Sequence, residues 1–225
     1  MKICLNYYGQ PRDIGITSRV FDEFIKTDTQ IEYHVVWTTW TGEDLSAFKQ
    51  LFPTSYVKQY DPPSMDNYKH ITSVYDLDVT NRCKTISHYV AGLYIKYKSA
   101  QTIADYENEY GIEFDMIITL RCDTIIHDNH LAIFYKPIIE NIHNTVFLAC
   151  GPKFDVYHER AEADSMFIAN KQVTFLLLSQ LDILPHCVIN NTRHFHPETA
   201  FAKAIHFLNL RILCINIRAF PQLLH

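Results

Sequence analysis

The chain has 225 residues, 48% hydrophobic and 20% charged, with 14 Tyr, 14 Phe and a formal net charge of -5. That length and composition fit one large α/β domain of an ordinary globular protein, unusually rich in side chains that stack on bases and sugars. The negative balance and the lack of any basic run exclude a protein that coats nucleic acid, while single nucleotides stay open as ligands.

In chain order, residues 2–8 read as a first strand, and Gly9-Gln10-Pro11-Arg12-Asp13 has the composition of a strand-to-helix loop. Apolar spacing at Ile14, Val20, Phe21, Phe24 and Ile25 predicts a helix over residues 14–26. Arg12 then stands at or just before a helix N-terminus, either as an anion contact or as a solvated arginine. Residues 31–37 are a second strand, 43–52 a short amphipathic helix and 55–60 a third strand. Residues 61–67 form a long polar loop of the kind that carries function.

Asp76-Leu77-Asp78 is a literal D-x-D, a pattern able to bind a divalent metal. No apolar strand precedes it and Thr80-Asn81 after it reads as a helix cap, so both readings stand. Residues 80–110 carry the longest helical signal, with Ile86, Val90, Leu93, Tyr97, Ala100 and Ile103 at near-helical spacing and Gly111 ending it. Ser87 and His88 on its first turns either face a ligand crevice or serve the surface.

The helix feeds into the most apolar run of the chain, residues 114–126, in which Met116 to Leu120 is interrupted only by Thr119 and stops at Arg121-Cys122-Asp123. Near-continuous hydrophobicity is that of a strand covered on both faces. In open α/β sheets ligands bind beyond the carboxyl ends of such strands, so Arg121 and Asp123 enter the crevice together and suit a phosphate and its metal. The plainer alternative is that Asp123 caps the next turn and pairs with Arg121.

Residues 130–143 read as a helix and 145–150 as another buried strand. A polar loop over 155–164, with His158, Glu159, Arg160, Glu162 and Asp164, leads into a strand-like segment at 166–169 and an apolar helix over 173–181. His194-Phe195-His196-Pro197-Glu198 precedes a helix running to about residue 210, with Glu198 near its positive end, and 211–217 is a last strand. Alternating strands and helices with no internal repeat predict a mostly parallel, mixed sheet between helices.

The six cysteines are scattered, with no C-x-x-C, and Cys4, Cys122, Cys150 and Cys214 fall in apolar segments. They read as reduced core residues, which favours a cytoplasmic chain. The start of the chain turns polar too early for a signal peptide, and no apolar stretch has the length of a membrane span. The six glycines form no G-x-G-x-x-G and no P-loop, which argues against a dinucleotide-binding domain or a P-loop NTPase.

Three pieces together resemble the GT-A nucleotide-sugar glycosyltransferases: Gly9-Gln10-Pro11-Arg12, the strand ending in Arg121-Cys122-Asp123, and Asp164-Ser165-Met166-Phe167 followed by His196-Pro197-Glu198. The likeness spans most of the chain, and is nearest to the small enzymes of bacteria and large DNA viruses, such as the glycosyltransferase domain of chlorella-virus proteins that decorate the major capsid protein. It implies a single GT-A-like (Rossmann-like) domain over 1–225. Residues up to about 125 would bind a nucleoside diphosphate sugar, with UDP the expected carrier, and residues 126–225 would face a glycan or glycoprotein acceptor. It also implies Mn²⁺ or Mg²⁺ at the diphosphate. This sequence departs from the family's D-x-D in having Arg121 at the first position, which leaves Asp123 as ligand, with Asp76, Asp78 or His196 as partners.

On that reading Gly9, Gln10, Arg12, His88 and Arg121 contact the donor, and Arg12 and Arg121 with the metal stabilise the leaving diphosphate. Asp164, ahead of Glu198, is the candidate base for an inverting reaction, whereas a retaining course needs none. Two rivals remain: a sugar-phosphate nucleotidyltransferase, whose first loop is usually richer in glycine than Gly9 alone, and a non-catalytic domain that holds a glycan or nucleotide.

Overall fold

The computed structural model describes residues 1–11, 31–77, 85–122, 124–126, 143–149, 166–187, 194–195, 197–215 and 219–221. Its strands are β1 (Lys2–Tyr8), β2 (Glu32–Trp40), β3 (Tyr56–Tyr60), β4 (Asp76–Leu77), β5 (Met116–Arg121), β6 (Thr124–Ile126), β7 (Thr145–Ala149), β8 (Met166–Ala169), β9 (His194–Phe195), β10 (Arg211–Ile215) and β11 (Ala219–Pro221). Its helices are α1 (Ser46–Leu51), α2 (Lys69–Thr72), α3 (Ile86–Tyr110), α4 (Lys171–Leu178), α5 (Gln180–Ile183) and α6 (Pro197–Phe207).

The apolar run at the centre of the sequence is β5, buried from Met116 to Leu120. It lies in a seven-stranded sheet of order β10-β7-β8-β5-β1-β2-β3. The pairs β5·β1, β1·β2, β2·β3 and β10·β7 are parallel, and β8 alone runs antiparallel to both its neighbours, β5 and β7. This is the mostly parallel, mixed sheet that the alternation of elements predicts.

Alternation along β1 sends Ile3, Leu5 and Tyr7 to one face and Cys4, Asn6 and Tyr8 to the other. The first set packs with Trp37, Ile118 and Leu120 against Phe48 of α1, whose ring stacks on Trp37 at 4.3 Å. The second face is covered by α3 through Ala100, Ile103 and Tyr106 and by α4 through Val173, Leu177 and Leu178. Cys4 and Cys122 are buried free thiols, as expected.

Helix α3 starts where Thr85 accepts the His88 N–H and ends at Gly111, whose φ of 64° is the left-handed turn that glycine tolerates best. Its last turns lie at the amino ends of the strands: Glu107 accepts the Phe114 N–H at 3.0 Å and pairs with Lys171 of α4 at 2.7 Å. Twenty-five residues of helix reach about 37 Å and six of strand about 20 Å, so the first turns of α3 overhang the carboxyl edge of the sheet. A third apolar cluster wraps that overhang, with Ile86, Tyr89, Val90 and Leu93 against Ile71, Leu181, Leu184, Ala200 and Ala204.

Some details differ from the sequence reading. The loop expected over 61–67 holds a 3-10 turn at Met65–Tyr68 that leads into α2, and the helix expected over 173–181 is α4 and α5, divided at Ser179. The D-x-D is preceded by no long strand, yet Asp76 and Leu77 are themselves β4, which pairs in parallel with β9. β11 pairs antiparallel with β6. The helices expected at 14–26 and 130–143 and the loop at 155–164 lie outside the described residues. Among the described residues no helix is long and apolar enough to cross a membrane.

Candidate active site

The carboxyl ends of β1 and β5 are level, and β2 and β3 end together two residues further on. Tyr8 is the register partner of both Thr38 and Arg121, and Trp40 is that of Tyr60. The ladder runs one residue further at three points: Gly9 N–H donates to Thr38 O at 3.0 Å, Cys122 N–H to Tyr8 O at 3.1 Å, and Thr41 N–H to Tyr60 O at 3.0 Å. Gly9 turns the chain away with a φ of 91°, and its carbonyl accepts the Trp37 indole N–H at 3.1 Å. A side chain there would sit in a strained backbone region, so the glycine is a requirement of the loop's first bend.

Below this edge a buried polar seam joins the sheet to α3. Asn6 Nδ2 donates to Ser99 Oγ at 3.3 Å, Ser99 Oγ donates to Lys96 O at 2.7 Å, and Thr38 Oγ1 donates to Thr102 Oγ1 at 2.9 Å. Asn6 Oδ1, fully buried, has no hydrogen-bond partner among the described residues. The seam fixes the height of α3 on the sheet, and so the position of two lysines.

Lys96, only 6% exposed, holds its Nζ 5.4 Å from the centre of the Tyr8 ring and 5.6 Å from that of Phe201 in α6. Lys98 Nζ lies 5.2 Å from the Tyr60 ring and 5.3 Å from the Tyr94 ring, and Tyr94 is stacked parallel to Trp40 at 6.4 Å. Alternation along β5 puts Arg121 on the same face as Tyr8, since Leu120 belongs to the opposite core. A half-buried arginine and a buried lysine, the latter against the Tyr8 ring, thus share one face of the sheet near the tips of β5 and β1. Arg121 was legible in the sequence and Lys96 was not. The missed signal is its spacing: Lys96 falls three residues after Leu93 and four before Ala100, within the apolar stripe, where a lysine has to be buried or to snorkel.

The other expected site residues divide. Gly9 and Arg121 stand together at the edge, while the Gln10 side chain donates to Glu43 at 2.7 Å on an exposed surface. His88 is exposed, and its Nδ1 lies 2.8 Å from the hydroxyl of the capping Thr85. Eight residues of helix separate it from Lys96, about 12 Å along the axis. Asp76 is the register partner of His194, and Leu77 that of Phe195. Glu198 lies in the first turn of α6, three residues before Phe201, whose ring meets Lys96. Arg12, Asp78, Asp123, Asp164 and His196 lie outside the described residues. Among the described residues no three side chains are grouped as ligands for a metal ion.

No family model matches the sequence, and no curated protein does. Solved structures do match in fold. Mouse xyloside xylosyltransferase 1, in its apo form, is 11% identical, with 96% of this chain and 85% of that one covered and a TM-score of 0.50. A glycosyltransferase involved in the glycosylation of the major capsid of PBCV-1 is 8% identical over 96% of this chain and 82% of its own, with a TM-score of 0.47. A 4-diphosphocytidyl-2C-methyl-D-erythritol synthase is 13% identical over 95% and 87%, with a TM-score of 0.45. Identities this low carry fold and not chemistry. The chain has the GT-A fold, a single domain built on a mixed, mostly parallel seven-stranded sheet between helices.

Proposed function

We propose that the chain is a glycosyltransferase that takes a sugar from a nucleoside diphosphate sugar, with UDP the expected carrier, and passes it to a hydroxyl of a glycan or glycoprotein. The observation that carries this reading is that Tyr8, at the carboxyl end of β1, has Arg121 as its register partner on β5 and the Lys96 ammonium against its ring. Open α/β sheets bind ligands at that edge, and two cations in a low-dielectric wall suit a diphosphate.

The chemistry asked of the site is modest. Cleaving the bond from the anomeric carbon to the diphosphate leaves negative charge on a phosphate oxygen, and fixed cations stabilise it most where water is scarce. Arg121 and Lys96 take that role, and Arg12 binds the donor's phosphates in ground and transition states alike. Asp164 is the base that draws the proton from the acceptor hydroxyl, with Glu198 the alternative. The position of α6 against Lys96, through Phe201, supports a place for Glu198 near the same crevice.

The proposed reading takes a divalent metal at Asp123, with Asp76, Asp78 or His196 as partners. Asp123 follows the tip of β5, and the parallel pairing of β4 with β9 brings the backbone of Asp76 beside that of His194. Carboxylate and imidazole ligands suit Mn²⁺, and carboxylates with waters suit Mg²⁺. When bound, such an ion neutralises charge on the diphosphate as it leaves.

The test is thermal. A nucleoside diphosphate at a hundred times its Kd stabilises the fold by about 2.7 kcal/mol, which for a chain of this size raises Tm by about 5–11 °C, with a larger rise when Mn²⁺ is added. Incubation with a panel of nucleotide sugars then releases the nucleoside diphosphate from one of them in a metal-dependent way. Pyrophosphate released from a nucleoside triphosphate and a sugar phosphate would instead identify a nucleotidyltransferase. No stabilisation by any nucleotide would leave a domain that does not use this edge.

A further inference from the structure

Beyond the strand tips, a cavity of about 440 Å³ opens between α2, α3 and α5. Tyr68 and Tyr97 wall it, Ile71 and Leu181 line it below, both less than a tenth exposed, and His70 and Asp182 stand exposed at its rim. A file of rings connects it to the sheet. Tyr68 meets Tyr94 edge to face at 6.4 Å, and Tyr94 stacks on Trp40 at the carboxyl end of β2.

We infer that this cavity is a glycan subsite, which takes a neutral sugar ring against Tyr68 and Tyr97 and holds its hydroxyls on Asp182 and His70. The volume is that of a small-ligand site. Tyrosine faces carry the negative side of the ring quadrupole and attract the weakly positive C–H face of a sugar. An exposed carboxylate with two acceptor oxygens bonds to vicinal hydroxyls without being stripped of water first.

Two other ligand classes fit less well. The lining holds an aspartate and neither lysine nor arginine, so a phosphate would meet repulsion. A quaternary ammonium would be drawn to the tyrosines, but Lys98 Nζ already lies 5.8 Å from the Tyr97 ring and 5.3 Å from the Tyr94 ring and repels a second cation.

The role of the sugar as part of the acceptor rests on the transferase reading above; its binding does not. Saturation-transfer NMR on the whole chain tests it with a panel of methyl hexosides, lactose and maltose, with choline and UDP as separate probes. At least one neutral saccharide gains ring-proton saturation. Its Kd rises about tenfold in Asp182→Asn and in Tyr97→Ala, while Tyr97→Phe binds like the parent. The same variants keep the rise in Tm that UDP gives, and that rise, being set by the other site, also reports that they fold. Absence of saturation for every saccharide, saturation untouched by both substitutions, or binding of choline in place of the sugars overturns the inference. If UDP fails to stabilise the parent while the saccharide result holds, the donor assignment falls and the subsite stands.

Discussion

Lys96 Nζ stands 5.4 Å from the centre of the Tyr8 ring, one register step from Arg121, so two cations border the last residue of β1. Burying an ammonium that is only 6% exposed costs folding energy, which a cation over two aromatic rings offsets in part.

Lys96→Met keeps the length of the side chain and removes the charge. Losing one charge-assisted contact to a diphosphate weakens binding by about 1.5–3 kcal/mol, a factor of about 10–150 in Kd. The fold itself is expected to lose little stability, since the apolar chain keeps the packing against the Tyr8 and Phe201 rings. Calorimetric titration with UDP beside urea unfolding reads both quantities. Full nucleotide affinity together with lost stability would make Lys96 a structural residue.

Gly9→Ala tests the loop. A Cβ at this position meets no atom of the described residues within 4 Å, so the expected cost comes from the φ of 91°. About 1–2 kcal/mol is the expected loss in a denaturant titration, with the slope m unchanged. A stability equal to the parent's would show that the backbone at Gly9 relaxes to negative φ, and the bend that aims the following loop would then not depend on glycine.

The main frame was legible because its signals are long and periodic. β5 is apolar at nearly every position, and α3 repeats its apolar stripe over its full length before stopping at Gly111. The ribbon of β4 and β9 was not legible, since two-residue strands have no period and their pairing joins positions more than a hundred residues apart. The direction of β8 was hidden for a similar reason: an apolar four-residue strand reads alike in both directions. Arg121 could be found from its place at the end of an apolar run, whereas Lys96 was signalled only by its spacing within the apolar stripe of α3, a weak cue because lysines on helices are usually solvated.

His34 supplies a pH dependence far from the proposed chemistry, near the amino ends of the strands. Its Nδ1 lies 2.8 Å from Tyr106 Oη and its Nε2 3.0 Å from Glu32 Oε1. Burial is the largest influence and pulls the pKa below the usual 6.5, with Glu32 opposing. The unfolded chain therefore binds this proton more readily than the fold does. The stabilising effect is complete above about pH 6.5 and is lost as pH falls from there through the lower folded value. His34→Gln, which still offers Tyr106 an acceptor, is expected to lose less stability than the parent between pH 7.5 and 5 in urea titrations. An equal loss in both chains would mean that Glu32 cancels the burial.

The metal has two candidate homes, and they differ in what a substitution does to Mn²⁺ dependence. Asp123 directly follows Cys122 at the end of β5, whose last residue Arg121 is the register partner of Tyr8, so on the proposed reading a metal held by Asp123 would share the diphosphate with Arg121 and Lys96. Asp76 has His194 as its backbone register partner in a separate two-stranded ribbon. If Asp123 is the principal ligand, Asp123→Asn removes the extra rise in Tm that Mn²⁺ gives to UDP and lowers turnover by about 10² or more, the order expected when a transition-state charge is lost. Asp76→Asn and His194→Ala then raise the Mn²⁺ concentration needed for half-maximal effect without abolishing it, as partial ligands do. The reverse pattern, with Asp123→Asn retaining Mn²⁺ dependence and Asp76→Asn losing it, would move the ion to the β4–β9 ribbon. The strand tip would then be left with cations alone for the diphosphate.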